Sequence, residues 1–298
     1  MMVLSRLFKD RLACGVMKTL TVFSSLLVFL IILGLFLRSR PILAIKPLSD
    51  LLFSTSWHPM RGEFGFWPFI TGTLWVTCTA VVIAVPLCLL TAIYLSEYAP
   101  AWIREWTAPL IDLLAGIPSV IYGIWGVLTI VPFVKNHLAP LFGCYSSGYS
   151  VLAGGSVLAV MIFPVIIHIT VGIFQTLPHE LREASWALGA THWQTVKHVV
   201  LRRAMPGIFA AIVLGFSRAF GETMAVLMVA GNVARVPGSV FDAAYPLPAL
   251  IANNYGEMLS VPLYDSALLF ASLILLAVVL VFNVISRLIL IRIERRVR

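Results

Sequence analysis

EASWALGATHWQTVKHVVLRRAMPGIFAAIVLGFSRAFGETMAVLMVAGN, residues 183–232, decides how this 298-residue chain is built. A polar, amphipathic first half runs into a long apolar second half. From Pro206 to Gly231 the only breaks in the apolar run are Ser217, Arg218, Glu222 and Thr223. Proline at a first helical position loses no hydrogen bond, so Pro206 is expected to open a helix. At ~1.5 Å per residue the run reaches ~39 Å, enough to cross a ~30 Å hydrocarbon core with tilt. Arg218 then falls ~18 Å along it, near mid-bilayer. Glu222, four residues on, is expected on the same helix face. Ala211, Gly215, Gly221 and Ala225 line that face, leaving room for a close helix or a bound ion.

A charge at the bilayer centre costs roughly 2.5–3.5 kcal/mol on insertion scales. Two readings of Arg218 and Glu222 follow. One is an ion pair that locks helix packing. The other is an anion pathway, because a guanidinium fork donates two parallel hydrogen bonds to a tetrahedral oxyanion.

The polar half reads as a short helix–turn–helix outside the membrane. Leu181, Ala184 and Leu188 share one helical face, and Gly189 ends that helix. Thr191 followed by Gln194 is a capping box for a second helix, whose apolar face is Trp193, Val196 and Val200. Such a hairpin either rests on lipid headgroups or is a knob for a partner's groove.

Glu183-Ala184-Ser185, followed after three residues by Gly189, resembles the EAA loop of binding-protein-dependent ABC importer permeases. In that family the loop docks into an ATPase subunit. Ser185 replaces the usual second alanine, and Arg202 stands where proline is common. Arg218-Ala219-Phe220-Gly221-Glu222-Thr223 resembles the RAxGET motif of phosphate importer permeases, and its continuation to Asn232 is closer to their PstC type.

Composition agrees with a polytopic membrane protein: 60% hydrophobic and 11% charged residues. Length allows about six spans with short loops. The expected fold is all-α. Spans are read at 20–37, 70–95, 110–131, 151–174, 206–231 and 266–291. The domain reading is 1–69 (N-terminal segment, first span, outer loop), 70–291 (permease domain, its cytosolic coupling loop at 175–205) and 292–298 (basic tail). Trp57-His58-Pro59 with Phe64-Gly65 also resembles PstC-type permeases, as do Gly72-Thr73…Pro86 and Ala115–Ser119. Trp57, Phe66 and Trp67 read equally as an interfacial aromatic belt. Tyr245–Ala252 is read as a short surface helix or a plain loop. Ser119 is placed to hydrogen-bond a substrate or its own helix. Asp112 faces headgroups or water on this reading, and His168 stands alone as a packed residue. Cys14, Cys78, Cys88 and Cys144 have no metal or redox spacing.

With both termini cytosolic, fourteen of the twenty-one lysines and arginines lie inside and six outside, with Arg218 in the membrane. That obeys the positive-inside rule and puts the EAA-like loop in the cytosol. The basic excess, +8, therefore reads as topology and lipid contact and not as nucleic-acid binding.

The resemblance covers most of the chain, about residues 57–232. It implies a type I (MetI-like) permease fold and a multi-pass subunit of an ATP-driven phosphate importer in the cytoplasmic membrane. The partners it implies are a second permease, ATP-binding subunits and an external phosphate-binding protein. The substrate pathway would use Arg218, Glu222, Thr223 and Ser119; the ATPase would meet Glu183, Ala184, Ser185 and Gly189. No cofactor or metal is expected. The sequence has no G-x-x-x-x-G-K-[ST], so the chain is not itself read as an ATPase. The PstA-type sister and a permease for sulfate or molybdate remain alternatives. A membrane enzyme using Glu222 as acid or base finds no nucleophile–base pair or metal cluster to support it.

Overall fold

The computed structural model describes the backbone of residues 2–257, 261 and 263–297, and the side chains of 10–257, 261, and 263–292. The basic side chains of Arg6, Lys9, Arg295, Arg296 and Arg298 lie outside the described residues.

The chain starts with a long helix, α1 (Met2–Ile45), and a short one, α2 (Leu48–Phe53). Two-residue strands β1 (Trp57–His58) and β2 (Glu63–Phe64) pair antiparallel, Trp57 opposite Phe64. Next come α3 (Trp67–Ile93), closing on a π-helical turn (Tyr94–Tyr98), and α4 (Ala101–Gly116). A third rod is built of α5 (Ser119–Trp125), α6 (Val131–Phe133) and α7 (Ala139–Leu141), joined by π-helical turns. Then follow α8 (Val151–Thr176), α9 (Glu180–Ala187) and α10 (His192–Thr195). Through another π turn α10 continues into α11 (Leu201–Phe220). Last are α12 (Met224–Val229), α13 (Leu247–Asn254) and α14 (Tyr264–Val297).

Six helical rods among the described residues are long and apolar enough to cross a membrane: Asp10–Ile45, Trp67–Tyr98, Ser119–Leu141, Val151–Thr176, His192–Phe220 and Tyr264–Arg292. Their number agrees with expectation; several of their boundaries do not, for the first rod covers Asp10–Ile45 and not 20–37, and the third ends at Leu141 and not at 131. The third rod starts at Ser119, not at residue 110, because Ile117 and Pro118 are extended and interrupt the helix. Residues 110–116 instead finish α4, which exposes Trp102, Trp106, Leu110 and Leu113. Pro206 does not open the fifth rod but lies inside α11. With Arg202 in place of proline its N–H is kept, and the helix runs on from the hairpin. Consequently the hairpin's second helix is the first part of the fifth rod and not a separate element. At its far end the rod stops at Phe220, well short of residue 231.

Packing is organised around α8, which lies against α3 on one side and α11 on another. Gly155 and Gly215 make these approaches possible. A Cβ on Gly155 would sit 2.6 Å from Thr79 Cγ2, and one on Gly215 2.7 Å from Ile166 Cγ1. Gly215 thus serves helix contact.

One end of the bundle is aromatic. Trp57 packs its ring against Phe64, Phe66 and Phe69 with centroids 4.9–5.6 Å apart. Phe66 is fully buried, so Trp57 and Phe66 belong to a core and not to an interfacial belt. α13, expected at the surface, is buried in this same core. Thr73 Oγ1 accepts from Leu247 N at 2.8 Å, and Tyr245 Oη accepts from the amides of Asn253 and Asn254 at 3.0 and 2.8 Å. The opposite end carries the α9–α10 hairpin, seated on a smaller core of Ala92, Phe174, Val196, Val200 and Ala204.

Candidate functional site

Two regions hold the residues that the sequence singles out. The first is the break in the fifth rod. After Phe220 the chain is non-helical at Gly221, Glu222 and Thr223, then resumes as α12. Non-helical backbone at membrane depth persists only where protein buries it or where it lines a water-filled cavity. Arg218 stands in the last turn of α11, where a cation complements the helix dipole. It is exposed, while Glu222 and Thr223 are half-buried.

The break changes the geometry expected of the charged pair. Arg218 and Glu222 are not on one helix face, and among the described residues neither has an oppositely charged side chain within 4 Å. α5, which packs against α12, carries the buried ring of Tyr122 and its hydroxyl. That hydroxyl donates to the Leu114 carbonyl at 2.8 Å, across the extended residues 117 and 118. α5 is held against α12 by a close approach: a Cβ on Gly123 would lie 3.3 Å from the Ala225 Cα. Ser119 is the first residue of α5, three before Tyr122, and so shares its face. Its place at the helix start leaves no preceding turn to accept its hydroxyl, and the expected back-bond is absent among the described residues. Thr223 donates to its neighbour Gly221 O at 3.3 Å. Ser217 turns away from the break and donates to Asn283 of α14 at 3.2 Å.

Sequence reading missed the bond from Tyr122 to Leu114. It also missed a partner for His168, whose Nε2 lies 2.9 Å from Asp112 Oδ1. Asp112 therefore faces an imidazole and not only headgroups or water. The two are 56 positions apart, and neither is set in a pattern that marks the pairing.

The second region is the hairpin. α9 presents Glu183 and Ala184 outward, and Leu188 is 89% exposed. Leu181, Trp186 and Trp193 are also exposed. Glu183 Oε1 is 3.3 Å from Nδ1 of His179, one turn earlier. Gly189 takes φ +82°, the left-handed region that favours glycine, and a Cβ there would meet nothing within 4 Å. The capping box forms: Thr191 N donates to Gln194 Oε1 at 2.8 Å, and Gln194 N to Thr191 Oγ1 at 3.3 Å. Ser185 has a structural reason to replace alanine. Its hydroxyl lies 2.9 Å from that of buried Thr195, joining α9 to α10.

Residues 84–298 match the family described as "Binding-protein-dependent transport system inner membrane component". The chain belongs to that family. It is 37% identical over 261 residues to the phosphate transport system permease protein PstC of Xylella fastidiosa strain 9a5c, covering 83% of this chain and 80% of the relative. It is 40% identical over 253 residues to the probable ABC transporter permease protein YqgH of Bacillus subtilis, covering 84% and 80%. To the probable PstC of Methanocaldococcus jannaschii it is 32% identical over 281 residues, covering 89% of each. Among solved structures, a MetNI methionine ABC transporter chain in an inward-facing form aligns with a TM-score of 0.58 at 19% identity, covering 80% of this chain and 99% of that one. A chain of a bacterial alginate ABC importer aligns at 0.56 and 19% identity, covering 95% and 98%. These last two likenesses establish the importer-permease fold.

Proposed function

We propose that the chain is a PstC-type permease subunit that moves inorganic phosphate inward across the cytoplasmic membrane, with Arg218 as the cationic contact in transit. One observation carries this reading. The fifth rod breaks just after Arg218, and among the described residues the exposed guanidinium has no carboxylate within 4 Å. On this reading Arg218 offers a tetrahedral oxyanion its two-point fork, and Ser119 and Thr223 offer hydroxyls. Glu222 lies within the break; on this reading its negative charge limits how tightly an anion is held, since conduction needs release as well as entry. On this reading its carboxylate also accepts a hydrogen bond from the P–OH of hydrogen phosphate, which fully ionised oxyanions lack. Relatives named for phosphate transport over most of their length support the same substrate.

The hairpin end lies in the cytosol on this reading, with both termini. Glu183, Ala184, Ser185 and Gly189 then meet the ATP-binding subunit, and the aromatic end faces the external binding protein. A second permease completes the pathway.

Reconstitution with these partners in liposomes tests the proposal. ATP-dependent uptake of labelled phosphate should resist competition by excess sulfate or molybdate loaded on the outside. Uptake of sulfate or molybdate in preference to phosphate would overturn the substrate assignment.

A further inference from the structure

Beside the outward face of α9 lies a buried ion pair that the reading above does not use. Arg182 immediately precedes exposed Glu183, yet is only 8% exposed. Its Nη2 donates to Glu97 Oε1 at 2.6 Å and its Nε to Glu97 Oε2 at 3.1 Å. Its Nη1 and Nη2 also donate to the carbonyls of Leu177 and Phe174, at 3.3 and 3.1 Å, where α8 ends. Glu97 belongs to the π turn that closes the second rod, and its side chain is 5% exposed. Arg104 of α4 clamps that same turn, its Nε donating to the Leu95 carbonyl at 3.1 Å. Across the same junction the Tyr98 and His192 rings meet edge-on at 4.6 Å.

A buried ion pair is a poor source of net stability compared with apolar packing, while a two-point guanidinium–carboxylate grip fixes orientation. The grip spans 85 positions of sequence and joins the hairpin to the end of α3. α3 in turn packs along α8, and α8 along α11, which ends at Arg218.

We propose that the Arg182–Glu97 pair is the joint through which displacement of the α9–α10 hairpin is delivered to the second rod, so that α9 and the end of α3 move as one body. This rests on the reading that the hairpin docks the ATPase. Both residues are positioning residues: neither touches substrate or nucleotide.

The test uses the assembled importer in liposomes, read as phosphate taken up per ATP hydrolysed. Glu97→Gln removes the charge and half the grip. Its complex should keep the ATPase subunit and hydrolyse ATP, while uptake per ATP falls about tenfold, within the roughly 5–150-fold span of ordinary couplings. A second variant guards against misfolding. In a chain whose four native cysteines are replaced by alanine, Glu97→Cys with Arg182→Cys is bridged by a short bis-thiol reagent. Bridging should raise uptake per ATP back toward the cysteine-free parent, which a merely structural role would not require. A bridge that blocks uptake would show that the junction must open, overturning the proposal. So would an undiminished ratio in Glu97→Gln with the ATPase bound. An ATPase that binds wild-type and Gly189→Asp chains equally would sink the docking reading first, and the joint with it.

Discussion

Arg218 and Glu222 stand on either side of a helix end and do not pair: α11 stops at Phe220, and the chain is unwound through Glu222 before α12. A structural ion pair would tolerate exchange of its members. Here the exchange Arg218→Glu with Glu222→Arg is expected to leave phosphate uptake as low as either single change, measured per assembled complex. Recovery by the exchange would restore the locked-pair reading.

Arginine at 218 matters for its shape as well as its charge. Arg218→Lys keeps the charge and loses the fork. Hydrogen bonds to charged groups are worth about 1.5–3 kcal/mol, so uptake should fall roughly 10–100-fold. Uptake within experimental error of wild type would mean that charge alone suffices.

The fold was legible where the signal is local. Thr191 and Gln194 form the capping box their spacing specifies, because its bonds close within four residues. The apolar runs give six rods because length and hydropathy suffice. The break after Phe220 was hidden, since Glu222 and Thr223 interrupt the apolar run too briefly to end it by hydropathy. Long-range pairs were hidden for a different reason. Nothing near Arg182 points to Glu97, and nothing near His168 points to Asp112, because packing of separate helices brings them together. The bond from Tyr122 to Leu114 was hidden because it depends on the extended residues 117 and 118.

Hairpin docking is accessible to substitution. Because a Cβ at Gly189 meets nothing within the chain, Gly189→Asp should perturb a partner's surface more than the fold. Its positive φ costs about 1–2 kcal/mol for an ordinary residue and less for aspartate. Gly189→Asp and Glu183→Lys should each insert normally and lose the ATPase on purification. Recovery of the ATPase at the wild-type ratio in both would contradict the docking role.

Ser185 and Thr195 offer a stability test. Ser185→Ala leaves the buried Thr195 hydroxyl unpartnered, at a cost of about 1–3 kcal/mol. Faster amide hydrogen exchange across residues 180–195 should report it, with the transmembrane rods unchanged.

Orientation rests on two thiols. Cys144 and Cys14 are both exposed, near opposite ends of their rods. A membrane-impermeant thiol reagent added outside intact cells should label Cys144, and Cys14 only after permeabilisation. The reverse pattern would invert the topology and place the hairpin away from any ATPase.

For the role of Arg218 the decisive measurement is ATP-dependent phosphate uptake by purified, reconstituted complexes carrying Arg218→Gln, with subunit ratios determined on the same preparations. A fully assembled complex with uptake lost is the predicted result. Normal phosphate transport by that assembled complex would contradict it.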